Sequence, residues 1–201
     1  VHGANRLGSN SLLDLIVFGR SAAERACEIL DKKTKNHVSI NEAALDKILS
    51  RFDKIRNSNG GIRTAELRDK MQRAMQRYAP VYRDKSTLEK GIEIMKDNFR
   101  DFNNLSVSDK SLIWNTDLVE SLELNNLLYQ SLATLYSAYN RTESRGSHAR
   151  EDYPDRDDKS WLKHTMVWVG EDGDSKFDYK PVELKTLTDE VETVALKART
   201  Y

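Results

Sequence analysis

The stretch "NTDLVESLELNNLLYQSLATLYSAY", residues 115–139, carries leucines at helical spacing along its length. An apolar row with this period predicts one long helix from about Asn115 to about Tyr139. Such a helix is stable only when other elements cover its apolar face, so the segments around it decide the fold. The leucines predicted to face inward are Leu118, Leu122, Leu128, Leu132 and Leu135.

Three segments before this helix have the same period and predict three further helices. The patterns at 39–42 and 86–89 are capping boxes that predict two helix starts. The helix between them starts near Thr64, and Pro80 ends or kinks it. Residues 40–139 therefore predict an antiparallel helical bundle of three or four helices. The predicted inward residues are Ala44, Leu45, Ile48, Leu49, Phe52 and Ile55, then Leu67, Met71, Ala74, Met75 and Tyr78, then Leu88, Ile92, Met95, Phe99 and Phe102.

The segment "HGANRLGSNSLLDLIVFGR", residues 2–20, runs from glycine-flanked polar positions into an apolar helix. Asn10 or Ser11 is a good N-cap for that helix. Between residues 12 and 18 the only charge is Asp14, so we expect other layers to cover several sides of the helix.

Arg6 comes just before the start of this helix. A helix N-terminus offers free N–H groups and a partial positive charge, which suit an anionic or electron-rich ligand atom. A guanidinium beside it can hold a carboxylate in a bidentate fork. Two interpretations stay open for this segment: a simple tight turn, which is the commoner reason for a glycine-flanked helix start, or a site for a carboxylate and for a cofactor atom that gains negative charge.

A densely charged loop and a β-hairpin follow the long helix. The segments "KHTMVWVG" and "KFDYKPVEL", on either side of residues 171–174, predict the hairpin. In the loop "ESRGSHARED", residues 143–152, Gly146 permits a defined turn. Two interpretations stay open: a solvated charged loop, or a turn that presents Arg145 and His148 to a site.

Composition restricts the partners of this 201-residue chain. Lys plus Arg and Asp plus Glu both number 32, and this balance gives no support to a nucleic-acid or membrane-surface partner. The longest apolar run is far shorter than a membrane span. The four histidines lack ligand spacing, so no metal site is predicted. The single cysteine, Cys27, allows no internal disulfide and is expected to be a small core residue.

Two of these motifs carry a resemblance to a known family. The stretch at 2–20, a helical bundle, and then "ESRGSHAREDYPDRDDKSWLKHT", residues 143–165, together resemble the C-terminal part of the flavoprotein subunit of succinate dehydrogenase. Fumarate reductase flavoproteins and L-aspartate oxidases form the wider family, and the resemblance covers essentially the whole chain. It implies a piece of a longer, mainly α protein. The expected parts are a remnant of the FAD-binding domain at 1–36, a helical bundle domain at 37–139, and a small C-terminal α+β domain with the hairpin at 140–201.

The resemblance also implies roles for single residues. Arg6 stands where the family binds a carboxylate of its C4 dicarboxylate, and Ser11 and Leu12 stand where the family contacts FAD through its backbone. A reducing flavin gains negative charge near its pyrimidine edge, and a helix N-terminus stabilises that charge. The full-length subunit is thus expected to bind FAD, and this chain alone is not expected to retain it.

The implied activity is the oxidation of succinate to fumarate, with electrons passed to an iron–sulfur subunit and quinone. Membrane anchor subunits would hold the complex on the cytoplasmic face of a bacterial inner membrane or the matrix face of the mitochondrial inner membrane. The family's proton-shuttling arginine and flavin-attachment histidine lie upstream, so we expect this chain alone to be inactive. We also expect it to self-associate through residues 11–30.

Two alternatives remain at this point. A fumarate reductase flavoprotein catalyses the same reaction in the opposite direction, and the motifs do not separate the two. A helical interaction module without chemistry of its own is the second alternative. A dinucleotide-binding motif upstream of this chain would favour the enzyme.

Overall fold

A computed structural model of the protein describes residues 8–33, 39–186 and 188–197. In this part of the chain, helices account for most of the regular structure and a β-hairpin lies near the C-terminus. The predicted mainly α fold, a helical bundle followed by a hairpin, is confirmed. The helices are α1 (Asn10–Lys33), α2 (Glu42–Arg56), α3 (Thr64–Tyr78), α4 (Lys85–Asp101), α5 (Thr116–Asn140) and the single turn α6 (Asp158–Trp161).

Short strand pairs join the ends of the helices. The β2–β4 pair ties the segment before α4 to the loop after α5, and this pairing positions the candidate site. The hairpin packs against α5, and its turn contains Gly173 at a φ of 79°. The parallel pairs are β1 (Ile62–Arg63) with β3 (Leu105–Ser106) and β2 (Tyr82–Arg83) with β4 (Ala149–Arg150), and the antiparallel pair is β5 (Lys163–Val169) with β6 (Ser175–Pro181).

The core forms where α3 and α4 pack on α5. Leu128, Leu132 and Leu135 are fully buried, as predicted. Leu122 is only half-buried, and Leu124 is fully buried in its place. Leu122 is six residues from Leu128, which rotates it by about 120° away from that face of the helix. The prediction for Leu122 was wrong because the fully buried face of α5 follows Leu124, Leu128, Leu132 and Leu135, and Leu122 lies beside that face.

The two predicted capping boxes are displaced by two residues. The N-cap of α2 is Asn41, whose side chain accepts a hydrogen bond from the N–H of Ala44. The N-cap of α4 is Asp84, which accepts from the N–H of Thr87 at 3.0 Å and also from the hydroxyls of Ser86 and Thr87. An Asn or Asp oxygen near a helix start competes with a serine two residues away for the free N–H groups, and in both helices it takes the cap.

Only the C-terminal end of α2 joins the core. Ile55 is buried and Phe52 is half-buried, whereas the other predicted inward side chains of this helix are exposed. The prediction of one continuous buried face on α2 is therefore wrong. Within the described residues α2 packs mainly against α5. Because this single neighbour covers only part of the apolar face of α2, the rest of that face stays exposed.

The first helix is not covered by the rest of the described chain. Its apolar side chains from Leu12 to Phe18 are 53–70% exposed, although a folded protein normally buries most side chains of this kind. Cys27 is exposed too, so its expected place in a core is wrong. Both are exposed for the same reason, because no other element among the described residues covers α1. No helix in the described residues has the length and apolarity that a membrane crossing requires.

Replacing Leu128 by alanine should lower the free energy of unfolding by about 2–5 kcal/mol, because it opens a cavity between α5 and its neighbours. The neighbouring Leu127 is 38% exposed and provides the matched control. Leu127→Ala should cost less than about 1 kcal/mol. Urea unfolding of both variants measures the difference, and equal losses would contradict this view of the core.

Candidate functional site

The structure describes some of the sequence-predicted site residues and not others. Arg6 lies outside the described residues. Ser11 and Leu12 are in the first turn of α1, and Arg145 and His148 are in the loop that follows α5. The described residues hold no group of three His, Cys, Asp or Glu side chains with the arrangement of metal ligands.

Ser11 and Leu12 lie at the N-terminus of α1. Ser9 precedes the helix in the left-handed region, at a φ of 68°, and its carbonyl accepts from the N–H of Leu12 at 3.0 Å. The first N–H groups of a helix have no intrahelical partner and carry partial positive charge. No acidic residue lies in this first turn to offset that charge. The start of α1 therefore carries partial positive charge that suits an atom gaining negative charge, although the N–H of Leu12 itself donates to Ser9.

Glu143 is the centre of the charged loop, and its side chain is fully buried. The Nε and Nη2 atoms of Arg145 donate to its two carboxylate oxygens at 2.8 and 3.0 Å. Arg141 donates to the same carboxylate, and so does the N–H of Asp157 at 2.9 Å. Burial alone raises the pKa of Glu143, but the hydrogen bonds from Arg145, Asp157 and Arg141 outweigh it, so the pKa lies below its ordinary value.

Arg150 closes the end of α5. Its side chain is almost completely buried, and its Nη1 donates to the carbonyls of Ala138, Tyr139 and Arg141 at 2.9, 3.1 and 3.2 Å. The last carbonyls of a helix lack intrahelical partners and carry partial negative charge. A guanidinium at this position supplies the missing hydrogen bonds and offsets the negative charge. Arg150 therefore caps the C-terminus of α5, although it lies ten residues after the helix ends.

The same guanidinium fixes the beginning of α4. Nε and Nη2 of Arg150 form a bidentate pair with Asp152, both distances being 2.7 Å. The other role of Asp152 is to accept from the N–H of Lys85, the first residue of α4, at 3.0 Å. The Arg150 hydrogen bond and charge hold the pKa of Asp152 below its ordinary value, against the effect of burial. One side chain thus links the end of α5 with the start of α4.

His148 is held between Arg83 and the chain reversal after α5. Its Nε2 lies 3.0 Å from the carbonyl of Arg141, and its Nδ1 lies 3.2 Å from Nη1 of Arg83. A guanidinium only donates, so Nδ1 must accept and Nε2 must carry the proton. Burial is the main cause that lowers the pKa of His148. The hydrogen bond to the carbonyl of Arg141 raises this pKa, but the nearby arginine charges lower it further. The neutral imidazole therefore links the side chain of Arg83 to the carbonyl of Arg141 through hydrogen bonds.

Sequence reasoning found the loop but missed what it does. The interpretation as a solvated charged loop is wrong, because Glu143 and Arg150 are buried. Arg145 and His148 do lie together along one groove, with Arg83 and Arg141. Arg83 is 65 residues from His148 in sequence, so no local pattern could have joined them. The pair of Arg150 and Asp152 is local, because the two residues are two positions apart, so it is the contact of this network that the sequence could have suggested.

Removing the Arg150 guanidinium should strongly destabilise the fold. Arg150→Met removes the donor to the helix carbonyls and the charged partner of Asp152, and breaking such a buried pair costs about 3–5 kcal/mol. Arg73→Met, which breaks an exposed pair with Asp69 on α3, should change stability little. Thermal or urea unfolding of the two variants tests this, and similar small effects would show that Arg150 is not a structural cap.

Protonation of His148 should weaken the fold. Because its folded-state pKa lies below 6.5, the unfolded chain takes up a proton first as the pH falls, and stability is lost from about pH 7 downward until the folded pKa is reached. Urea unfolding at about pH 7 and 5.5 measures the loss. His148→Gln should reduce the difference, whereas His164→Gln on the exposed face of β5 should retain it. An unchanged difference in His148→Gln would refute the assignment.

Known proteins are similar to this chain along its whole length. The chain is 57% identical over 201 residues to the succinate dehydrogenase flavoprotein subunit of Rickettsia bellii, covering 100% of this chain and 34% of that protein. It is 45% identical over 202 residues to the mitochondrial succinate dehydrogenase flavoprotein subunit of Oryza sativa, covering 100% of this chain and 32% of that protein. The chain therefore spans about a third of the length of these relatives.

A solved structure shares the fold. The structure of E. coli quinol fumarate reductase matches with a TM-score of 0.84 and 36% identity, covering 93% of this chain and 32% of the other. The model of a protein family, fumarate reductase flavoprotein C-term, matches residues 68–201, which is more than half of the chain. The resemblance carried by the two motifs is confirmed, and this chain belongs to the fumarate reductase flavoprotein C-terminal family.

Proposed function

We propose that this chain is the C-terminal part of a succinate dehydrogenase flavoprotein subunit, which oxidises succinate to fumarate. The observation that supports this best is the similarity along all 201 residues to a subunit of that name, including the segment with Arg6. The family implies a flavin, and FAD is the flavin we propose. The chain spans about a third of such a subunit, so the activity is assigned to the whole subunit.

In the whole subunit, Arg6 holds one carboxylate of the substrate and fixes its orientation. A bidentate guanidinium contact positions a carboxylate in both distance and plane. When bound, FAD supplies the acceptor for the hydride removed from succinate. The helix start at Ser11 and Leu12 stabilises negative charge on the flavin, which the absence of an acidic residue from the first turn of α1 supports; the N–H of Leu12 must exchange its bond to Ser9 for the ligand.

The uncovered helices agree with a larger assembly. The apolar side chains of α1 and the N-terminal half of α2 are exposed in the described residues. We propose that the FAD-binding domain covers α1, and that an iron–sulfur subunit and membrane anchor subunits complete the complex. The subunit then lies peripherally on a bacterial inner membrane or on the matrix face of the mitochondrial inner membrane.

The runner-up is a fumarate reductase flavoprotein, which the 36% identity to the E. coli structure supports less strongly than the 57% identity to the Rickettsia bellii subunit supports a succinate dehydrogenase. The two enzymes run one reaction in opposite directions, so rates of succinate oxidation and fumarate reduction by the intact complex separate them. A helical module without chemistry is the remaining alternative. A whole subunit that neither binds a flavin nor turns over succinate would favour it.

Arg6→Ala in the full-length subunit should reduce succinate oxidation about a hundredfold or more, because a charge-assisted contact to a buried carboxylate is lost. The flavin should stay bound, as its absorbance spectrum would show. Arg73→Ala, on the exposed face of α3, serves as the control and should leave turnover unchanged. Wild-type kinetics in Arg6→Ala would remove the assignment of Arg6.

The 201-residue chain by itself should self-associate through α1, since an uncovered apolar helix gains stability when a second copy covers it. Ile16→Glu should shift the chain towards monomer in sedimentation experiments. Ile113 is also highly exposed but lies before α5, so Ile113→Glu is the matched control and should have no effect. A wild-type chain that stays monomeric at high concentration would contradict the proposal.

A further inference from the structure

A concave groove lies beside the charged network. It is bounded by the C-terminal half of α5, by one face of β5 and by the loop that contains Arg145 and His148. Its volume is about 720 Å³. Pockets of roughly 300–1,000 Å³ are the size that accommodates small molecules.

The charged side chains that line this groove are all of positive sign. Its ionisable side chains are all basic types, and it contains no Asp or Glu. This contrasts with the whole chain, in which acidic and basic residues both number 32. Glu143 and Asp158 partly offset Arg141 and Arg145, but neither acid belongs to the lining. The basic residues are Arg83, Arg141, Arg145, His148, Lys163 and His164.

Two of these cations have no acidic partner among the described residues. Arg83 donates only to neutral atoms, from Nε to the carbonyl of Pro80 at 2.8 Å and from Nη1 to His148. Lys163 lies over the aromatic rings of Trp161 and Tyr179, with Nζ at 4.9 and 4.0 Å from their centroids. Neither side chain forms an ion pair in the described part of the chain. Both charges are therefore available to an anion.

Apolar side chains form much of the rest of the groove, beside the hydroxyls of Thr134, Ser137 and Thr165. Ala133 on α5, Val167 on β5, and Val182 and Leu196 in the C-terminal segment line it. A bare inorganic ion would bind the cations but leave this apolar surface exposed to water. A ligand that combines two negative charges with an apolar body would use both, since desolvated apolar contact adds to the charge-assisted hydrogen bonds.

We propose that this groove binds a small organic dianion, whose carboxylate or phosphate oxygens contact Arg83 and Lys163 and whose apolar body lies against Ala133, Val167 and Leu196. The concave form and size favour a small molecule over an acidic segment of another protein. This goes beyond the proposed function, which assigns the substrate carboxylate to Arg6 and gives this groove no ligand.

Indole N–H signals in two-dimensional NMR test the proposal on the 201-residue chain. Trp161 lines the groove and donates to Thr142 at 3.2 Å, whereas Trp114 is 96% exposed and serves as the internal control. The probes, at constant ionic strength, are phthalate, phenyl phosphate, oxalate and a hexaglutamate peptide. Phthalate and phenyl phosphate should shift the Trp161 signal and leave Trp114 unmoved. Oxalate, which lacks an apolar body, should bind about tenfold more weakly.

Variants identify the cations involved. Arg83→Gln should weaken phthalate binding about tenfold or more, and Lys163→Gln, which breaks no hydrogen bond in the described structure, provides a second variant if Arg83→Gln does not fold. Arg73→Gln on α3 should bind as the wild type does. The proposal is overturned if Trp161 does not respond to either aromatic anion, if Trp161 and Trp114 respond alike, or if the Lys163 variant binds unchanged. A response to hexaglutamate alone would overturn it in favour of a protein partner.

Discussion

The buried guanidinium of Arg150 is the interaction on which the rest of the site depends. It binds carbonyls at the end of α5 and, through Asp152, the first N–H of α4. A helix end and a helix start thus meet at one charged pair, with the charge complementary to the helix dipole at both. The loop between Arg141 and Arg150 has a fixed path because its two ends are held by this contact.

Burial of so many charges is tolerated only because each has several partners. Isolated buried charges cost several kcal/mol, and Glu143 is compatible with full burial because three separate groups donate to it. The neutral His148 fills the position beside Arg83, where another cation would be repelled. The network is therefore internally satisfied, and the positive charge left over is concentrated at Arg83 and Lys163, along the groove.

The N-terminal part of the chain follows a different principle. Between α3 and α5 one row of apolar side chains on each helix faces a common core, whereas α1 exposes its apolar residues from Leu12 to Phe18. The proposed contacts of Ser11 and Leu12 with a flavin therefore require layers that the described residues do not supply. This division agrees with the finding that the chain spans about a third of its relatives.

The sequence by itself determined the elements whose pattern is local. Leucine spacing located α5, the apolar period with Pro80 located α3, and alternation located the hairpin, because backbone geometry fixes these periods. The tertiary structure alone decided that Leu124 replaces Leu122 in the core and that Glu143 and Arg150 are buried. Burial of a charge depends on which distant groups meet it, and the pairing of Arg83 with His148 across 65 residues leaves no trace in a local pattern.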